Sequence, residues 1–169
     1  MLHLSRSTVR PLALADTPSL ARHANNRRIW RNLRDLFPHP YTEQHAVDFI
    51  TQTNAAPQPT NFAIEVDATA VGVIGFRPRT DVERLTAELG YWLSEDYWGR
   101  GILTEVVAAF TPWAMNQFNL TRIDAWVFHW NPASARVLEK AGYTREALLR
   151  RSAVKDGEII DRWLFSYTT

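Results

Sequence analysis

Two glycines constrain the fold most, because they stand between a strand pattern and the longest helix pattern of the chain. Apolar residues alternate through 84–93, which predicts a strand, and recur at helical spacing through 102–118. Gly99 and Gly101 separate these segments, and glycine adopts tight backbone conformations that other residues avoid. A second strand pattern, 121–130, follows the helix. This order predicts a crossover connection between strands, as in a mixed α/β fold.

The other predicted elements complete a twisted, mostly antiparallel mixed sheet with helices on both faces. Asp16, Thr42 and Asn131 are expected to cap helices, because their side chains accept hydrogen bonds from free backbone N–H groups. The predicted bounds are strand 9–14, a helix from Asp16, helix 27–36, a helix from Thr42, hairpin strands NFAIEV and AVGVIGF, a helix from Asn131, and strands 144–152 and 158–167 around an Asp-Gly turn.

The composition limits the classes of function. The chain has 169 residues, which suits one domain over 1–169, and its net charge of +1 does not favour nucleic acid or an anionic membrane as a partner. It contains no Cys, which excludes disulfides, thiolate metal sites and cysteine nucleophiles. No apolar run suits a membrane span, and the histidines lack metal-ligand spacing, so no metal is predicted. We expect a cytoplasmic protein, either a monomer or a homodimer.

The turn at the two glycines has two interpretations from the residues alone. A strand, a glycine-containing turn and a helix place free backbone N–H groups at the positive end of a helix dipole, where a phosphate binds. Arg100, between the glycines, would add positive charge. The alternative is a tight turn that only reverses the chain. The spacing and the missing lysine exclude a P-loop, and Thr104 stands where a dinucleotide fingerprint needs its last glycine.

Two blocks of residues and one earlier segment carry a wider pattern. They are Trp98-Gly99, Gly101 and Thr104-Glu105 in the first block, Asn131, Ser134, Leu138-Glu139-Lys140 and Gly142-Tyr143 in the second, and LRDLFPHPYT at 33–42. The chain thereby resembles the GCN5-related N-acetyltransferases (GNAT), and within them the RimJ/RimL-like branch, over nearly its whole length. The resemblance implies the GNAT fold, with a splayed central pair of parallel strands, and acetyl-CoA as the acyl donor.

The resemblance also implies which residues bind the cofactor. Main-chain N–H groups of the loop would hold the pyrophosphate of coenzyme A, and the strand before the loop would offer backbone bonds to the pantetheine arm, with Asn131 as a further contact. The loop residues are Trp98, Gly99, Arg100, Gly101, Ile102, Leu103 and Thr104, and the strand residues are Trp92, Leu93 and Ser94. Leu103 departs from the family pattern, which has Gly or Ala there.

Acyl transfer from a thioester to an amine needs a neutral amine, a stabilised carbonyl oxygen and a protonated leaving thiolate. Glu88 is the first candidate for the base, and the alternative is a strand residue that only faces solvent. His129 is a second candidate, since its ordinary pKa lies near neutral pH. The resemblance implies Ser134 as the acid, because Leu138 stands where many acetyltransferases have Tyr; otherwise Ser134 is an ordinary first-turn residue.

The early helices and the Pro-rich loop are expected to bind the acceptor amine. The candidates are Arg31, Arg34, Asp35, Phe37 and Tyr41, which combine charges and rings. A salt-bridged, stacked loop is the alternative. The acceptor is a protein N-terminus or a small molecule. The rival function is a non-catalytic acyl-CoA-binding module, which would bind the cofactor without turnover.

Overall fold

Eight strands form one mixed sheet in the order β1-β2-β3-β4-β5-β6-β8-β7 in the computed structural model, which describes residues 1–169. The strands are β1 (Leu2–His3), β2 (Thr8–Pro11), β3 (Asn61–Val66), β4 (Thr69–Pro78), β5 (Thr86–Leu93), β6 (Arg122–Phe128), β7 (Thr144–Lys155) and β8 (Glu158–Thr168). The β3–β4 and β7–β8 hairpins were both predicted. Each turns through two residues with positive φ, which suits a type I′ turn.

Five helices accompany the sheet. They are α1 (Thr17–Ala24), α2 (Arg27–Trp30), α3 (Glu43–Ala55), α4 (Ile102–Phe118) and α5 (Pro132–Lys140). The long helix α4 has the predicted bounds. The predicted caps of α3 and α5 are also confirmed, because Thr42 accepts a hydrogen bond from His45 N and Asn131 accepts one from Ser134 N. None of the helices is both long and apolar enough to cross a membrane.

A parallel ladder joins β5 and β6, as the strand–helix–strand pattern predicted. It pairs Thr86 with Arg122 and continues to Leu89 and Ala125. Both strands extend beyond the ladder, β5 to Leu93 and β6 to Phe128. The mixed sheet with a parallel strand pair that the sequence predicted is therefore confirmed.

Two compact units share the chain, and the expectation of one domain stays a prediction. The first comprises Met1–Gly75 and Tyr91–Ile102. Its apolar core joins α1 and α3 to strand residues that include Ala63, Ala70 and Val73. Phe37 and Trp92 pack against this core with their ring centroids 6.0 Å apart.

The second unit comprises Phe76–Gly90 and Leu103–Thr169. Its buried residues include Phe110 of α4, which is fully buried and whose ring centroid lies 6.0 Å from that of Phe76. Arg122 of β6 binds both Asp124 and Glu146. The hydrogen bond from Arg122, aided by one from Ser166, lowers the pKa of Glu146 to about 2.

Two predictions about the early helices need correction. Asp16 stands at the N-cap position of α1, but its carboxylate accepts hydrogen bonds from Ala13 N and Arg10 and makes no cap bond. The second helix ends at Trp30 instead of reaching residue 36. After Trp30, hydrogen bonds from residue i to residue i−3, such as Leu33 N to Trp30 O, replace the α-helical bonds. They turn the chain into the Pro-rich loop.

Candidate active site

The predicted phosphate loop has a backbone conformation that lets a ligand approach its main chain closely. Gly99 and Gly101 have φ of 73° and 77°, a left-handed region that L side chains rarely adopt. An added Cβ at Gly99 would meet nothing within 4 Å. At Gly101 it would lie 2.6 Å from a guanidinium nitrogen of Arg6. Helix α4 begins at Ile102, immediately after this turn, so its first N–H groups belong to the same segment.

Contacts from the start of α2 brace the loop. Asn26 donates to the Glu95 carboxylate at 2.8 Å, and Arg28 forms an ion pair with the same carboxylate. The Arg28 guanidinium also lies 5.3 Å from the centre of the Trp98 ring. The Trp98 indole donates to Leu93 O at 2.8 Å. These bonds order the loop before any ligand arrives.

Arg100, the residue expected to add charge at the turn, is directed back onto its own segment. Its guanidinium donates to Asp96 O at 2.6 Å and lies 5.1 Å from the centre of the Tyr97 ring. The positive charge beside Gly101 comes instead from Arg6, in the turn between β1 and β2. Sequence reasoning missed Arg6 because no local pattern connects these two stretches.

The strand before the loop offers its backbone groups to two different sides. Ser94 N donates to Val71 O at 2.8 Å, so Ser94 faces β4 and, by strand alternation, so do the backbone groups of Trp92. Leu93 therefore faces away from β4, with its carbonyl bound to the Trp98 indole. Tyr91 shares the orientation of Leu93. It was missed as a candidate, although the alternation of a strand was the available signal.

Half-buried His23 of α1 and buried Ser94 at the end of β5 form a contact pair. His23 Nδ1 lies 2.8 Å from the Ser94 hydroxyl, 4.0 Å from the Asp96 carboxylate, and its ring contacts Tyr97 edge-on. Burial, followed by the charge of Arg22, lowers the pKa of His23, against a smaller opposing effect of Asp96. The neutral imidazole is therefore the form that the fold stabilises.

The pH dependence of stability should carry the signature of His23. Below its ordinary pKa of 6.5 the unfolded state binds a proton first, so the free energy of unfolding should fall as pH falls from 6.5 through the lower folded-state pKa. The variant His23→Asn, which keeps a hydrogen-bonding group near the position of Nδ1, should show a shallower loss between about pH 7 and pH 5. Denaturant unfolding across that range tests this. His3→Asn, on exposed β1, is the control, and equal slopes in all three proteins would contradict the prediction.

Glu88 lies half-buried on β5 and accepts a hydrogen bond from Arg77 at 3.0 Å. Its neighbours Ala87 and Leu89 are buried, so Glu88 lies on the opposite face of the strand. Gly90 shares that face and is exposed, with nothing within 4 Å of an added Cβ. The same face therefore has open space at Gly90, two residues along the strand from Glu88.

Asp124, which sequence reasoning passed over, stands in register with Glu88 on β6. Arg122 donates to one of its oxygens at 2.6 Å, and Arg79 contacts the other at 3.0 Å. Asp124 is only 3% exposed, so this carboxylate is a structural partner of two arginines. Glu88 pairs with Arg77 and is less buried than Asp124, so its assignment as the base stays a prediction.

The N-terminus of α5 carries the predicted acid. Asn131 Oδ1 accepts from the backbone N–H of Ser134 at 3.2 Å, so the Ser134 hydroxyl is not needed for the cap. A cavity of about 230 Å³ lies beside this turn, with His129, Asn131, Arg136 and Trp163 among its lining residues. Ser134 is not among the lining residues. The structure thus groups His129 with Asn131 and places Ser134 on another side of the helix start.

The predicted acceptor residues fall into two groups. Phe37 and Tyr41 are packed, with ring centroids 5.0 Å apart, and Tyr41 belongs to the apolar core. Burial raises the pKa of Tyr41 to about 12. The other three residues, Arg31, Arg34 and Asp35, are exposed. Leu36, which follows them, is 92% exposed and was not foreseen.

The loop fits the diphosphate of coenzyme A. The two left-handed glycines leave space where side chains would otherwise project, and a helix begins directly after them. Both features favour an anion held by main-chain N–H groups. Leu103, the departure from the family pattern, is half-buried on the first turn of α4.

Comparison with known proteins places this site in a family. Residues 6–144 match the family described as "Acetyltransferase (GNAT) domain". The relative named uncharacterized N-acetyltransferase p20, from Bacillus licheniformis, is 28% identical over 171 residues, which cover 98% of this chain and 94% of the relative.

Solved structures agree with that match over almost the full chain. RimJ of Mycobacterium smegmatis, in complex with CoA-disulfide, has a TM-score of 0.85 at 24% identity, covering 98% of this chain and 87% of that one. The ribosomal-protein α-N-acetyltransferase RimL, in complex with coenzyme A, has a TM-score of 0.84 at 18% identity, covering 97% and 94%. The chain belongs to the GNAT family of N-acetyltransferases, which use acetyl-CoA as the acyl donor.

Proposed function

We propose that this acetyltransferase transfers acetyl directly to the α-amino group at the N-terminus of a protein. The observation that carries the acceptor class is the exposed stretch after α2. Arg31, Arg34, Asp35 and Leu36 all lie at the surface, and Leu36 is 92% exposed. An open surface suits an extended peptide, whereas a small amine needs an enclosing pocket.

The neighbouring structures support the same class. RimL is named as an acetyltransferase of ribosomal-protein α-amino groups, and a neighbour from Vibrio fischeri is named as a ribosomal-protein alanine acetyltransferase. A microcin C7 self-immunity acetyltransferase, in complex with acetyl-CoA and AMP, shares the fold as well. The experiment must therefore distinguish a protein N-terminus from a small-molecule acceptor.

Acetyl-CoA, when bound, supplies an activated thioester. The amine loses one proton as it is acylated, and the departing sulfur gains one. We assign the first proton transfer to Glu88, directly or through a water molecule, and the second to the hydroxyl of Ser134. Direct attack is consistent with a chain that contains no Cys for an acyl-enzyme intermediate.

The acceptor class is tested by release of free thiol from acetyl-CoA over two matched panels. One contains short peptides with free N-termini and the same peptides blocked by N-acetylation; the other contains small amines, including an aminoacyl nucleotide analogue. Turnover with the free peptides alone supports a protein N-terminus. Turnover with the small amines alone overturns that assignment while leaving the acetyltransferase activity intact.

Replacing Glu88 with Gln should lower kcat/KM by about a hundredfold, because the amide oxygen still accepts from Arg77 but cannot take a proton. The acidic limb of the pH profile should disappear with it. Steady-state kinetics across pH measure both effects. Glu83→Gln is the control, since Glu83 is an exposed carboxylate paired with Arg79. Unchanged kinetics for Glu88→Gln would show that Glu88 is not the base and is only a solvent-facing strand residue.

A further inference from the structure

The turn between β1 and β2 brings an arginine to the phosphate loop. Arg6 lies so close to Gly101 that a Cβ there would stand 2.6 Å from one guanidinium nitrogen and 3.7 Å from the central carbon. Glycine at 101 therefore serves two purposes. It permits the left-handed backbone, and it leaves the space that the Arg6 guanidinium occupies.

Arg6 makes no hydrogen bond or ion pair within the chain, and its side chain is exposed. It lies beside the start of α4, where the helix dipole is positive and N–H groups lack intrahelical partners. A cation at that end of a helix is unfavourable unless an anion accompanies it. Glu95 is already bound to Arg28 and Asn26, and Arg6 forms no ion pair with Asp96 in the loop or with Glu105 in the first turn of α4.

The loop itself contains one cationic residue, Arg100, whose guanidinium donates to Asp96 O and stacks on Tyr97. Its contacts hold it against the loop itself. The guanidinium at the glycine turn is thus that of Arg6, which offers a planar set of donors suited to phosphate oxygens.

We propose that Arg6 binds the diphosphate of coenzyme A, closing the side of the loop that the main-chain N–H groups leave open. The proposal rests on the placement of that diphosphate at the Gly99–Gly101 turn. It makes Arg6 a cofactor-binding residue from a part of the chain that carries no cofactor motif.

Calorimetric titration of the full chain tests this with three ligands: CoA, 3′-dephospho-CoA and pantetheine, which lacks the diphosphate, the 3′-phosphate and the adenosine. Arg6→Gln should weaken the binding of CoA and of 3′-dephospho-CoA by about tenfold each, the effect of one lost charge-assisted contact. Pantetheine binding should not change. Arg6→Lys, which keeps the charge without the planar set of donors, should bind CoA with an affinity between those of the wild type and Arg6→Gln.

Arg84→Gln is the matched control, since Arg84 is an exposed arginine whose guanidinium donates only to Asp81 O at 3.3 Å. It should bind all three ligands as the wild type does. A loss confined to CoA would place Arg6 on the 3′-phosphate and overturn the diphosphate assignment. Equal binding by Arg6→Gln and wild type would overturn the proposal entirely. Failure of the wild-type chain to bind CoA would instead refute the cofactor site.

Discussion

Replacing Ser134 with Ala is expected to lower kcat by about a hundredfold, the scale of losing one general acid. The fold should not suffer, because the cap of α5 uses the backbone N–H of residue 134, which alanine retains. The free energy of unfolding should stay within about 0.5 kcal/mol of the wild-type value. The Kd for acetyl-CoA should also be unchanged. Single-turnover kinetics with a peptide acceptor measure the chemical step.

A second substitution reports the position of the same side chain. The wild-type chain contains no Cys, so Ser134→Cys introduces a single thiol. Its thiolate should attack CoA disulfide, forming a mixed disulfide with one CoA and releasing the other as free thiol. Ala133→Cys, at the adjacent and more exposed position, is the matched control. Mass spectrometry should detect the CoA adduct sooner on Ser134→Cys than on Ala133→Cys. Two results would contradict the role of Ser134 as the acid. One is a faster reaction of Ala133→Cys, and the other is a kcat of Ser134→Ala within twofold of the wild-type value.

Replacing Gly101 with Ala is expected to weaken CoA binding by tenfold to a hundredfold. Alanine at a φ of 77° costs about 1 to 2 kcal/mol, and its Cβ would also displace the Arg6 guanidinium. The loop must shift to relieve both, and a shift of its N–H groups reduces their contacts with the diphosphate. Calorimetric titration with CoA gives the Kd, and thermal unfolding without ligand gives the stability change.

Two other glycines separate the causes of that loss. Gly99→Ala carries the same backbone strain at a φ of 73° in the same loop, but its Cβ meets nothing within 4 Å. Gly157→Ala carries it at a φ of 80° in the β7–β8 turn, also in open space. We expect all three to lose similar stability, Gly157→Ala to bind CoA normally, and Gly101→Ala to bind it most weakly. If Gly157→Ala lost CoA affinity equally, general destabilisation would explain the effect and the loop would have no special part.

Some of the site could be predicted because its signals are local. The bounds of α4, the Asn131 cap and the glycine turn before α4 each depend on a few adjacent residues, and the structure has all three as expected. Helical periodicity, capping and turn conformation are determined within one or two turns of chain. The family resemblance followed from the same local blocks and is confirmed by the match over residues 6–144.

The partners of the charged side chains depended on the tertiary structure. Asp16 has the sequence position of a cap, yet Arg10 holds its carboxylate. Glu88 alternates as a surface residue would, yet Arg77 pairs with it and Gly90 leaves open space on the same face of the strand. An arginine finds its carboxylate through strand register and turn direction, which one-dimensional spacing does not contain.

The sequence by itself determined the class of fold, the family, the acyl donor and the segment where the loop lies. Only the tertiary structure decided which guanidinium reaches that loop, which backbone groups of β5 face away from β4, and which acceptor candidates are packed into the core. The physical reason is the range of the interactions. Helices and turns arise from neighbours in the chain, whereas a binding surface is made by side chains that meet only when the sheet has formed.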